Sequence, residues 1–279
     1  MNYVREPVVA GMFYPGRAKE LSGMISHMVA EGRAQPNVLP SPTGLILPHA
    51  GYAYSGKVAA SGYTWLASRG RPEWAIILGT NHTGLGRPIS IQRSGNWRTP
   101  LGVAPIMSEL AGLLVERGFH VAKSAFAREH SVEVQLPFLQ YLFGAEFPFV
   151  PICVKLPALD ELMKAGEIIA QVLSESRGIL IASSDFTHYQ PQSVASRIDR
   201  KAIDRILSLD GEGFYNSLVT KRLSICGGGA ITILIQAARV LGLDRTRLLS
   251  YGTSGDVTGD KSSVVGYAAI ALGRENNDQ

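Results

Sequence analysis

TGLILPHAGY, from Thr43 to Tyr52, sets the reading of the fold. A short apolar run, Thr43–Leu47, is followed at once by proline, histidine and glycine. Ser55–Ser68 then carries small residues along one side, as a packed helix does. The same grammar recurs twice. WAIIL (Trp74–Leu78) runs into GTNHTG (Gly79–Gly84), and GILIA (Gly178–Ala182) runs into SSDFTHY (Ser183–Tyr189). Continuous apolar runs suit strands buried on both faces, which is the situation in a parallel sheet.

Outward from these runs, strands and helices alternate along the chain. Helices are expected over Met107–Arg117, Ser131–Phe143, Asp160–Ser174, Val194–Leu207 and Ala230–Leu241, and closing strands over Leu248–Tyr251 and Val264–Leu272. Phe147–Val154 reads as a strand made irregular by Pro148 and Pro151. The expected fold is therefore α/β, a central largely parallel or mixed sheet with helices on both faces. Gln35–Thr43 (QPNVLPSPT) is a short Pro-bearing loop, and no linker divides the chain, so residues 1–279 read as one domain with a disordered polar tail over 274–279.

Bulk properties narrow the function. Of 279 residues, 46% are hydrophobic and 18% charged, which supports a sizeable core. The net charge of +4 is spread among acids, as in Arg197–Arg205, so a nucleic-acid surface is not expected. No apolar run reaches membrane-spanning length, no signal peptide is evident, and there are two cysteines, Cys153 and Cys226; a cytoplasmic protein with free thiols is the expectation.

The chemistry sits just beyond the strands. His49, His82 and His188 each lie two to six residues past the end of a strand, where open α/β sheets bind ligands. Imidazole with carboxylate, here Asp185, suits iron, copper, zinc or manganese. SICGGGA (Ser224–Ala230) places Cys226 and three glycines before an apolar helix, where a thiolate or a bound anion is favoured. Each feature has a plainer explanation. A histidine after a strand is commonly a hydrogen-bonded loop residue, Cys226 a small hydrophobe, Gly227–Gly229 an aid to close packing, and Asp185 a turn cap. His130 and Glu133 read as capping residues at a helix start rather than as partners of a site. Tyr52 and Tyr54 could line a pocket or pack, and Cys153 belongs to the core. Gly255–Asp260 resembles a calcium loop only faintly and reads as a turn between strands.

Several motifs in order resemble the Memo family, also called AmmeMemoRadiSam system protein B: Arg5-Glu6-Pro7, GMFYPG (Gly11–Gly16), LPHAGY (Leu47–Tyr52), LGTNHTG (Leu78–Gly84), EHSVEVQLPFL (Glu129–Leu139), SSDFTHY, CGGGA (Cys226–Ala230) and SGDVTGDKSSVVGYAA (Ser254–Ala269). The resemblance implies the fold of class III extradiol non-haem iron dioxygenases. It implies His49, His82 and Cys226 as metal-site residues, with Asp185 and His188 as further active-site residues. Those dioxygenases carry a glutamate where Cys226 falls; a thiolate shifts preference toward copper(I), zinc or a redox-altered iron.

The expectation is an iron(II)- or copper-dependent oxidoreductase acting on a small molecule or on dioxygen, with His188 as acid–base group. The alternatives are a scaffold binding a phosphorylated or acidic peptide in the same cleft, and a copper- or iron-handling protein without turnover. A cysteine hydrolase built on Cys226, His188 and Asp185 comes last. The family's name further implies a pathway shared with radical-SAM and AMMECR-type proteins.

Overall fold

The computed structural model describes residues 3–29, 43–174 and 176–274; the expected loop over 35–42 and the tail beyond 274 lie outside them. The strands are β1 (Val4–Arg5), β2 (Thr43–Leu47), β3 (Ala75–Thr80), β4 (Ile89–Ile91), β5 (Asn96–Thr99), β6 (Gly102–Pro105), β7 (His120–Val121), β8 (Phe149–Val154), β9 (Ile179–Ser183), β10 (His188–Gln190), β11 (Arg245–Thr253) and β12 (Val264–Gly273). The helices are α1 (Ala18–Met28), α2 (Tyr52–Arg69), α3 (Ser108–Glu116), α4 (Leu136–Phe143), α5 (Leu159–Leu173), α6 (Gln192–Leu207), α7 (Gly211–Lys221), α8 (Gly228–Leu241) and the single turn α9 (Gly255–Thr258).

Four strands, ordered β2-β9-β3-β8, form a parallel core. Antiparallel flanks extend it: β12 on β2, β10 and β11 on β12, and β4 on β8, with β7 parallel to β4. Every residue of β2, β3, β8 and β9 is buried, as expected for strands covered on both faces. The covering helices can be read from β2. A side chain at Gly44 would meet Leu234 of α8, whereas Leu47 packs on Gly62 of α2. Positions 44 and 47 differ in parity and so face opposite ways, which places α8 and α2 on opposite sides of the sheet. Among the described residues no helix is long and apolar enough to cross a membrane.

Two expected elements change. The helix expected over Ser131–Phe143 is a 3₁₀ turn, Glu133–Gln135, leading into α4, with Pro137 in the first turn of that helix, where its missing N–H costs nothing. The strand expected to be irregular is regular over Phe149–Val154. Pro151 gives its carbonyl to Gln92 N, just past the end of β4. The N–H and C=O of a strand residue point the same way, so the absent N–H faces Gln92, past the end of β4, and takes no bond from the parallel pairing with β3. The turn expected over 255–260 contains α9 and joins β11 to β12. The small sheet β1-β5-β6, α7 and β10 had no sequence expectation.

Candidate functional site

Because β2, β9 and β3 are neighbours and parallel, their carboxyl ends open on the same side and deliver His49, then Asp185 and His188, then His82 to one crevice. The loop before α8 brings Cys226 from across the sheet. Its Sγ lies 3.2 Å from His49 Nε2 and accepts the Asp185 N–H at 3.2 Å. All five residues named from sequence therefore meet in or beside one pocket.

His130 joins them, contrary to its reading as a simple helix cap. The candidate donor atoms of His49, His82 and His130 all lie within 4.8 Å of one another. The His82 and His130 rings stack at 4.6 Å and 16°, and His49 stands edge-on to both, at 5.2 and 5.4 Å. Gly79 makes this possible. A Cβ there would come within 2.5 Å of Ser131 Oγ, and its absence lets the segment carrying His130 lie against β3, where Ser131 donates to Thr80 O. Nothing local in EHSVE signals that pairing.

The hydrogen bonds fix the imidazole tautomers. Ser183 spends its single hydroxyl hydrogen on Ser131 O at 2.7 Å, so its oxygen accepts from His49 Nδ1 at 3.1 Å and from Gln135 Nε2 at 2.8 Å. The proton of neutral His49 is therefore on Nδ1, and the Nε2 lone pair faces Cys226. His82 Nδ1 donates to Glu129 Oε1 at 2.9 Å. Glu129, fully buried, also accepts the backbone N–H groups of His82, His130 and Ser131 at 2.7 to 2.9 Å. It is the residue that orients two of the three imidazoles, and it was missed in the sequence.

Charge follows from this wiring. Burial disfavours a charged His82, but hydrogen bonds to Cys226 and Glu129 outweigh it and raise the pKa to about 9. Burial likewise opposes ionised Glu129, yet the His82 hydrogen bond and charge and the Ser131 N–H bring it to about 2. His130 is pushed down to about 3, first by burial and then by the neighbouring His49, with Glu129 opposing. His130 is thus a neutral donor, and His82 is a protonated one in the metal-free chain.

The remaining residues take distinct places. Asp185 Oδ1 accepts the N–H groups of His49 and Ala50 at 2.8 and 3.3 Å and so pins the turn after β2. His188 Nδ1 donates to Ser224 O at 2.7 Å, a carbonyl being acceptor only, which leaves Nε2 of this pocket-lining residue without a partner among the described residues. Glu133 faces away from the crevice. It accepts from Arg5, Tyr14 and the Val8 and Val9 N–H groups and ties the N-terminal segment, with Met12 and Phe13 in the pocket wall, to the His130 segment. Tyr52 is core, donating to Val134 O, whereas Tyr54 lines the pocket. The three glycines serve packing. Side chains at 227, 228 and 229 would collide with Ser184, Leu218 and Lys155 O, and Gly227 N already donates to Ser184 Oγ. This enclosed helix start is not an open anion cradle.

A mixed α/β sheet that gathers three imidazoles and a thiol beyond its parallel strands defines an α/β protein with a histidine–cysteine crevice. Residues 5–271 match Memo, described as Memo-like protein, and the chain belongs to the Memo family. It is 45% identical to a MEMO1 family protein of Methanopyrus kandleri, over 97% of this chain and 99% of that one. It is 41% identical to a MEMO1 family protein of Nitrosopumilus maritimus, over 96% and 98%. The crystal structure of an uncharacterized Escherichia coli K12 protein superposes with a TM-score of 0.58 at 16% identity, over 83% of this chain and 99% of that one, and shares the fold.

Proposed function

We propose that the protein is a metal-dependent oxidoreductase whose ion, iron(II) or copper with zinc as the redox-silent competitor, is held by His49, His82, Cys226 and His130. The observation that carries this reading is the fixed tautomer of His49 and the Glu129 clamp on His82: in each ring Nδ1 is engaged by a buried acceptor and Nε2 is left for a ligand. Such outer partners are what metal-binding imidazoles require. Three imidazoles and a sulfur form a borderline-to-soft donor set, suited to copper, zinc or iron and unsuited to calcium or magnesium. The residues present therefore fit a transition metal. When bound, it would supply one-electron redox chemistry and a site for a small oxygen-bearing ligand.

The chain's own residues do the rest. Asp185 fixes the His49 backbone, Glu129 orients His82 and the loop of His130, and His188 offers as proton acceptor inside the pocket an Nε2 that has no partner among the described residues. The test is anaerobic titration with iron(II) and with copper(I), followed by oxygen uptake under a reductant. Near-stoichiometric binding with oxygen uptake that falls in His188→Gln supports the reading. Tight binding with no uptake moves it to a metal carrier, and no binding of either ion refutes it.

A further inference from the structure

His188 lines the pocket at the end of the segment that leads from β9 into β10, and three elements hold that segment. Ser224, two residues before Cys226, accepts the His188 backbone N–H at its hydroxyl and the ring Nδ1–H at its carbonyl, at 2.9 and 2.7 Å. Gly266 of β12 donates to Thr187 O at 2.9 Å and accepts from Phe186 N at 2.8 Å. The third holder is Asp199 of α6. Its Oδ1 accepts both the backbone N–H and the hydroxyl of Thr187, at 3.0 and 2.6 Å.

Asp199 is fully buried. Among the described residues no lysine, arginine or histidine forms an ion pair with it. Its Oδ2 accepts from the Tyr251 hydroxyl at 2.8 Å and stands so close to Gly266 that a Cβ there would collide with it. Burial pushes the Asp199 carboxyl up, and the hydrogen bonds from Thr187 and Tyr251 oppose that push. A carboxyl group buried without a cationic partner costs free energy that a well-packed apolar side chain would not. What this one gains is a two-point grip on Thr187, the buried residue next to His188.

We infer that Asp199 is a positioning residue for His188. By holding Thr187 at two points, it sets the backbone from which the imidazole reaches Ser224 O and turns Nε2 into the pocket. The use of that Nε2 as a proton acceptor rests on the proposed function; the positioning rests on the hydrogen bonds alone.

The test reads the His188 tautomer by long-range proton–nitrogen NMR correlation, in the full chelator-treated chain at a pH where the ring is neutral. The parent is expected to show the single Nδ1–H form that the bond to Ser224 O requires. Asp199→Ala leaves both Thr187 groups without their acceptor and gives a mixture of tautomers. Asp199→Asn restores the single form, because its Oδ1 accepts from Thr187 and its NH₂ donates to the Tyr251 oxygen. Tyr251→Phe removes a partner of the same carboxyl but no contact to Thr187, and leaves the ring unchanged. Should Asp199→Ala not fold, Thr187→Val replaces it, losing only the 2.6 Å hydroxyl bond, and again a mixture is expected. A single Nδ1–H form in folded Asp199→Ala, or in Thr187→Val where it stands in, overturns the inference. So does a parent without that form, an equal disturbance in Tyr251→Phe, or a failure of Asp199→Asn to restore it. Where the metal-loaded parent takes up oxygen, kcat in Asp199→Ala falls about tenfold or more with the metal retained, and Asp199→Asn recovers it. A parent without uptake fails the proposed function and leaves the tautomer result to decide the positioning.

Discussion

Replacing Glu129 by glutamine preserves shape and removes the charge that organises the crevice. The carboxylate accepts four N–H groups while fully buried: His82 Nδ1, His130 N and Ser131 N at Oε1, and His82 N at Oε2. A glutamine whose Oε1 keeps the first three places its NH₂ against the His82 backbone N–H, donor facing donor. An unsatisfied buried polar group costs about 1–3 kcal/mol. Loss of a carboxylate partner behind a metal-binding imidazole typically lowers metal affinity by about 10–100-fold, or about 1.4–2.7 kcal/mol. The proton count changes as well. His82, held to about 9 in the metal-free protein, must shed a proton to bind a metal at pH 7. In the variant its pKa falls toward the ordinary imidazole range, so less proton is released. The assay is calorimetric titration with zinc at pH 7 in buffers of different ionisation enthalpy, which yields affinity and proton release together. Unchanged affinity with unchanged proton release in a folded Glu129→Gln protein would refute the assignment of Glu129 as the orienting group.

Gly79→Ala should keep the fold and weaken metal binding at least severalfold, because its Cβ, 2.5 Å from Ser131 Oγ, displaces the segment that carries His130; far-ultraviolet circular dichroism and a zinc titration check both halves. Glu133→Gln leaves Arg5 buried without its counter-charge at 2.6 Å, a change that costs about 3–5 kcal/mol when one partner of a buried pair is removed, and is read from the urea midpoint at constant m-value. The metal-free protein should lose stability as pH falls from about 6.5 toward 3 partly through His130. Unfolded, that ring takes a proton below about 6.5, whereas folded it does so only at about 3, so protons favour unfolding in that window. His130→Gln should flatten the dependence of melting temperature on pH there, and an unaltered slope contradicts the shift.

What the sequence made legible was periodic or adjacent to something periodic. Thr43–Leu47, Trp74–Leu78 and Gly178–Ala182 read as buried strands because apolar runs of that length have few other uses, and their parallel pairing follows from the helices between them. His49, His82 and Asp185 were visible because each follows such a strand within a few residues. His130 and Glu129 were not, because their place depends on Gly79 giving way to Ser131 and Val132 from a segment about fifty residues away. The anion-cradle reading of Gly227–Gly229 failed for a related reason: glycine before a helix means either an open N-terminus or a close approach, and only the surroundings of Ser184, Leu218 and Lys155 decide between them. Short strands such as β1 and β10, two and three residues long, carry too little pattern to be read locally.

The proposed metal centre requires His49, His82, Cys226 and His130 to hold one transition-metal ion together. The most direct measurement is elemental analysis of protein purified without added metal or chelating resin, beside His49→Ala/Cys226→Ser and His130→Ala. Near-stoichiometric iron or copper is expected in the parent, with its loss in the double variant and a marked reduction in His130→Ala. A metal-free parent that also takes up neither iron(II) nor copper(I) under anaerobic conditions would contradict it.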